Sequence, residues 1–273
     1  MAPRTKIPTK RQRGESSMQQ PPEGNPMSKW FESNDDFENY ATNFAPRKIM
    51  SPRYMELNFF EKHGCPRLLE ILAHQNLVEF VKISDSWYPE IIAAAYTTLD
   101  LEFIDDDMNF IFKLGKFTYS LDSTKLIELW KLDYSGKVIE LKESPIEHNE
   151  GYSRQEACTL FNIPFDVPKP TVGYLSLEHR LLHYLIVYVL VPRAHNHGLI
   201  LEEDLDLMWR MANHKKLNWV VIIATHMRRS KSGRPTKGLP YAMLWTKIFK
   251  DVGIKRGRMW PITIVLIITQ SII

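Results

Sequence analysis

The sequence predicts a mainly α or α+β fold, with a helical bundle in the C-terminal half and a small antiparallel β-meander in the N-terminal half. Three observations carry this. Apolar residues recur at helical spacing between capping residues from Ser176 to Gly253. At Leu101 the apolar period drops to two and holds for three short runs. Residues 1–50 are poor in aliphatic side chains, too poor to offset the entropy of ordering them.

Taken in order, residues 1–50 read as a disordered basic and polar arm, with Pro21-Pro22, Gly24 and Pro26 breaking any regular structure. Trp30, Phe31, Phe37, Tyr40 and Phe44 are scattered among its acids as docking points. Order is expected from Ser51-Pro52, an N-cap followed by proline at the first helical position, for a helix through Tyr54, Leu57 and Phe60 to Gly64. Pro66 opens a second helix with Leu68, Leu69 and Leu72, and Pro89 a third, EIIAAAYTTL.

Leu101 and Phe103, then Phe110, Phe112 and Leu114, then Phe117, Tyr119 and Leu121 alternate as three strands. Asp105-Asp106-Asp107 turns the first pair. Asp122 caps the helix KLIELWKL, and Ser153-Arg154-Gln155-Glu156 has the pattern of a capping box.

Ser176 caps LEHRLLHYLIVYVLV, a helix apolar on every face from Leu181 except at His183, which Pro192 ends. Leu201, Leu205, Met208 and Ala212 stripe the next. That helix has Glu202, Glu203 and Asp204 at its start and His214, Lys215 and Lys216 at its end, as the helix dipole favours. Asn218 caps WVVIIATHM, closed by Arg228 and Arg229. Pro240 starts a last helix that Gly253 ends. One domain over 51–254 follows, a helix-and-meander part at 51–150 and a helical part at 151–254. An atypical hydrophobic tail occupies 255–273.

The 273 residues are 44% hydrophobic and 25% charged, which excludes wholesale disorder, collagen and a multi-span membrane protein. The formal charge of +3 hides an uneven distribution: net +5 over residues 1–14, −11 over 15–227 and +9 over 228–258. Cys65 and Cys158 are the only cysteines, read as reduced and packed. MAPRTKIPTKRQR is followed by a polar stretch rather than an apolar signal core, so an intracellular place, nuclear or cytoplasmic, is expected. Two basic clusters are candidate nucleic-acid contacts: Lys10, Arg11 and Arg13 in the arm, and Arg228, Arg229, Lys231, Arg234 and Lys237 in a flexible loop. No stacking aromatics interleave with them in the chain. The uncharged tail MWPITIVLIITQSII is shorter than the ~20 residues a membrane helix needs, although Lys255, Arg256 and Arg258 would suit the cytoplasmic flank of an anchor.

Catalytic constellations are weak. His179 and His183 lie one helical turn apart, but the glutamate at 178 is outside the pair, so a buried, hydrogen-bonded histidine pair is expected instead of a zinc site. His195 and His197 have no spaced Cys or carboxylate partner. Three adjacent aspartates on a turn do not converge as two-metal chemistry requires. GxxxxGK[ST], GxGxxG, GxSxG and Cys–His zinc spacings are all missing, so no metal or cofactor is expected.

The run LSLEHRLLHYLIVYVLVPRAHNHGLILEEDLDLMWRMANHKKLNWVVIIATHM at 175–227, with GLPYAMLWTKIFKDVGI at 238–254, resembles the hallmark blocks of a plant transposon-protein family. That family is retrotransposon-associated and includes envelope-like proteins of legume retroelements. Ser84-Asp85-Ser86-Trp87-Tyr88-Pro89-Glu90 and the basic start MAPRTK resemble its upstream part, so the likeness covers roughly residues 55–254. It implies an origin in a mobile element, a mostly helical domain and other retroelement proteins as partners. It carries no catalytic residues. After Ile254 the chain departs from the family, where a polar continuation is expected, which favours a truncated or altered-frame end over an anchor. The function expected is a non-catalytic interaction or nucleic-acid-associated module. An envelope-like membrane protein is the alternative, and a transposase or nuclease comes last.

Overall fold

Residues 28–62, 65–105, 107–139, 151–233, 237–254 and 266–267 are described by a computed structural model. They form a mixed α+β fold in which helices cover one face of a three-stranded antiparallel sheet.

Order begins before residue 51, which corrects the arm boundary. A 3-10 turn at Ser28–Trp30 leads into α1 (Asn34–Asn39), capped by Ser33, whose hydroxyl accepts from the Asp36 N–H at 3.1 Å. A π turn at Tyr40–Phe44 follows. Phe31, Tyr40 and Phe44 are buried, and the Trp30 carbonyl accepts from the Gly115 N–H at 2.7 Å. The reason lies in spacing. Phe37, Tyr40 and Phe44 are three and four residues apart, so one face of two successive helical turns presents all three to the body. Lys10, Arg11 and Arg13 lie outside the described residues.

The helix expected from Ser51 is a second correction. Residues 48–55 run as a strap whose main chain finds partners elsewhere: Leu239 N–H donates to the Lys48 carbonyl at 2.9 Å, Met50 N–H to the Leu239 carbonyl at 2.9 Å, and Met55 N–H to the Val81 carbonyl at 2.8 Å. Inside it β1 (Arg53–Tyr54) pairs in parallel with β5 (Leu266–Ile267), and α2 (Leu57–Lys62) starts only afterwards. The expected stop at Gly64 and the rest of the tail lie outside the described residues. Among those described, no helix is long and apolar enough to cross a membrane.

Both proline-led helices form where expected, α3 at Pro66–His74 and α4 at Pro89–Thr98. Ile91 to Thr97 are all buried, so α4 is a central element despite its modest length. The meander is β2 (Asp100–Ile104), β3 (Asp107–Leu114) and β4 (Phe117–Leu121), in register Leu101↔Phe110↔Leu121 and Phe112↔Tyr119. Phe103 and Phe117 share the buried face but sit at opposite hairpin ends, beyond the helices, and stay more than half exposed.

The capping expectations are met: Asp122 on α5 (Ser123–Trp130), Ser153 on α6 (Arg154–Phe161), Ser176 on α7 (Leu177–Leu185) and Asn218 on α9 (Trp219–Lys231). Beyond α7 the helix widens into a π turn at Ile186–Leu190, and Val191 N–H reaches the Ile186 carbonyl at 2.7 Å. Pro192 explains this. It has no N–H to give, and its ring would collide with the Tyr188 carbonyl of a tighter turn. α8 spans Glu202–Ala212 and α10 spans Ala242–Asp251, entered through Tyr241 in the left-handed region at φ 58°.

Two devices join the halves. Trp245 of α10 is fully buried with its ring 5.2 Å from Phe112, 5.3 Å from Phe110 and 5.3 Å from Tyr96, so α10, the sheet and α4 share one aromatic core. Gln75, at the end of α3, accepts from the Leu217 N–H and the Trp219 indole and donates to the Lys215 carbonyl.

Candidate nucleic-acid interface

The acidic start of α8 explains much of the basic residues' behaviour. Its four carboxylates each meet one arginine from a different place in the chain. Arg154 of α6 pairs with Glu202, Arg229 of α9 holds Glu203 through two bonds of 2.8 and 3.2 Å, Arg193 donates to Asp204 at 2.7 Å, and Arg210 donates to Asp206 at 2.6 Å. Burial raises the Glu203 pKa, and the Arg229 fork offsets only part of that rise. Asp204 also takes the Leu201 N–H at 2.8 Å and faces His183 Nε2 at 3.3 Å, so Nε2 must carry the proton. The histidine expectation is met only in part. Among the described residues Nδ1 of both His179 and His183 has no partner, and His179 instead meets Phe161 edge-on at 4.8 Å.

The C-terminal basic cluster divides accordingly. It is not all loop, because α9 continues to Lys231 and carries Arg228, Arg229 and Lys231 on its last turns. Arg229 is committed to Glu203. Lys231 donates to the Leu99 carbonyl at 2.9 Å, and burial pulls its pKa down while Asp100 and Asp36 raise it. Arg234 lies outside the described residues. Arg228 is partly exposed and Lys237 is exposed.

Sequence reasoning missed Arg47 and Lys48. Arg47 is buried, and its guanidinium donates to the carbonyls of Ser230 (2.7 Å), Lys231 (3.1 Å) and Lys237 (2.8 Å). It therefore caps the negative end of α9, leaving neighbouring cations free of that role. Arg47→Met should lower stability by about 2 kcal/mol, because these carbonyls lose their donors in a buried place. A shift in the urea midpoint at constant slope reads this out. The next residue, Lys48, is exposed and lies against Leu239, which brings it beside Lys237 although 189 positions separate them. No sequence pattern marks a contact that long-range.

A second cluster assembles where the strap passes the π turn. The Arg53 guanidinium carbon lies 3.8 Å from the Tyr188 ring centre. The His197 ring lies 4.2 Å from the same centre, tilted by 32°. Planar groups this close lie over ring faces. A guanidinium and an imidazole are too large to share one face of a six-membered ring, so Tyr188 is sandwiched between them. Tyr184 continues the row 5.7 Å from Tyr188. His197 Nε2 donates to the Arg193 carbonyl at 2.6 Å, which fixes the ring, and burial lowers its pKa. The cavity beside Arg53 and Tyr188, floored by Tyr241 and Leu244, encloses about 40 Å³. That is room for a water molecule rather than an organic ligand.

Asp105 and Asp107 form the β2–β3 turn, Asp105 at φ 48° and Asp107 accepting from the Met108 N–H at 2.8 Å. Among the described residues, no group of three or more His, Cys, Asp or Glu side chains is placed to hold a metal ion. Cys65 and Cys158 are both free and buried. No protein-family model, curated protein or solved structure matches the chain.

Proposed function

We propose that this chain is a non-catalytic, retroelement-derived module that associates with nucleic acid through the basic end of α9. The observation that carries the reading is that the 48–50 strap brings exposed Lys48 beside exposed Lys237 at the end of α9 whose carbonyls Arg47 caps and whose last turns carry the partly exposed Arg228. Cations exposed on one surface can exchange their counterions for phosphates. The basic residues Lys10, Arg11 and Arg13 of the N-terminal segment would add reach to the same contact, and Arg234 lies in the same stretch of chain. The retroelement origin is supported by the resemblance of residues 175–227 and 238–254 to the plant transposon-protein family. In this reading, other retroelement proteins are the second class of partner, and the place of action is intracellular.

Replacing Lys48, Arg228 and Lys237 together by alanine tests it. Binding to a fluorescent oligonucleotide should weaken by about tenfold or more at moderate salt, and the log–log salt slope should flatten by about 2 for three lost phosphate contacts. An isotherm and slope identical to those of the unaltered chain would exclude this surface.

A further inference from the structure

We infer that the Arg53–Tyr188–His197 stack is a nucleobase-stacking platform, and that the nucleic acid bound is single-stranded. This rests on the reading above and narrows it. Single-strand recognition combines cations along the backbone path with exposed planar groups on which successive bases lie. The basic end of α9 supplies the first, the partly exposed outer members of the stack, Arg53 and His197, supply the second, and the strap connects them. From Lys48 to Arg53 the chain spans at most about 18 Å. The two features therefore lie within the reach of a few nucleotides.

The stack is ordered before any ligand arrives. Tyr188 is held by the π turn, His197 by its bond to the Arg193 carbonyl, and Arg53 by β1. Arg193 is itself locked through Asp204 and the Leu199 carbonyl, so the loop carrying His197 has a rigid root. One face of each outer member is covered by Tyr188. His197 is partly exposed and follows the exposed residues Ala194, His195 and Asn196, and Tyr188 is the one ring stacked on it among the described residues. Arg53 has its plane on Tyr188, and its N–H edges donate to no acceptor among the described residues. A guanidinium stacked in this way presents its edge to a phosphate or to a base oxygen. A stacked duplex buries its base faces and has none to offer, so the platform favours unpaired strands. The small cavity behind Tyr188 takes no part, since it admits only water.

The test uses the full chain, two substitutions at opposite ends of the stack and three probes. Arg53→Lys keeps the charge and removes the planar group. His197→Ala removes the outer ring. The probes are single-stranded RNA, single-stranded DNA of the same sequence, and the matching duplex. Each substitution should weaken binding of a single strand about tenfold, the scale of one stacked base, with the salt slope unchanged and duplex binding unaltered. Whether RNA, DNA or both lose affinity identifies the strand chemistry. Thermal unfolding checks that each variant folds, and because the substitutions are independent, one failing to fold leaves the other informative. If the unaltered chain binds and both folded variants bind single strands equally well, the platform is overturned while the basic surface stands. If the unaltered chain binds none of the three probes, both readings fall.

Discussion

Asp204→Ala should lower the unfolding free energy by about 4 kcal/mol, within the range for breaking a buried charge pair from one side. One carboxylate oxygen takes the Arg193 guanidinium at 2.7 Å, the Leu201 N–H at 2.8 Å and the His183 Nε2 at 3.3 Å. Asp204 and His183 are both almost completely buried. Removing the carboxylate strands two side-chain donors and uncaps α8 at once. Urea unfolding at constant slope measures the loss, and a change under ~1 kcal/mol would show that water replaces the carboxylate at no cost. A companion variant separates the pair's value from the damage of breaking it. Asp204→Leu combined with His183→Leu and Arg193→Met removes all three polar partners, and should recover a good part of the lost stability.

Acidification is the second large effect, and it runs through His226. The residue is buried with Nδ1 2.8 Å from the Tyr241 hydroxyl, which itself donates to the Leu190 carbonyl at 2.7 Å. Nδ1 is therefore the protonated nitrogen of a neutral ring. Burial, with Arg229 and Lys237 nearby, lowers its pKa to about 3. In the unfolded chain it titrates near 6.5. Between these values the unfolded state holds a proton that the folded state refuses, so stability is full above about pH 6.5 and falls as the pH drops toward 3. The complete loss is about 5 kcal/mol, of which about 3 kcal/mol is gone by pH 4. His179 and His197, also shifted down by burial, push in the same direction. Denaturant midpoints near pH 7 and pH 4 measure the change for the chain and for His226→Gln. Equal losses in both would show that His226 is not responsible.

What was legible in the sequence was local. Asp122, Ser153, Ser176 and Asn218 announce helix starts because the cap bond closes within three residues. The meander is visible because period-two alternation and tight turns are short-range too. The errors came where distant chain decides. Ser51-Pro52 has a helix-start pattern, yet bonds to Leu239 and Val81 draw residues 48–55 into an extended strap. Phe37, Tyr40 and Phe44 carry a helical spacing that could have been read, and the scarcity of aliphatic residues masked it. Of the cations singled out, Arg229 and Lys231 proved to be bonded within the fold, which depends on Glu203 and Leu99 far away in the chain. The Tyr188 stack has no linear signature, because residues 53, 188 and 197 meet only after the strap has crossed the π turn.

The strap also constrains how the molecule is made. Arg47 bonds to carbonyls 183 to 190 residues downstream. At translation rates of about 5–20 residues per second, those partners are synthesised roughly 10–40 s after Arg47. Throughout that interval residues 47–50 lack their partners at Ser230, Lys231, Lys237 and Leu239, while Met55 can already pair with Val81. Residues 47–50 are thus made well before the chain that secures them. The bonds that fix this segment therefore close only once residues 230–239 are available.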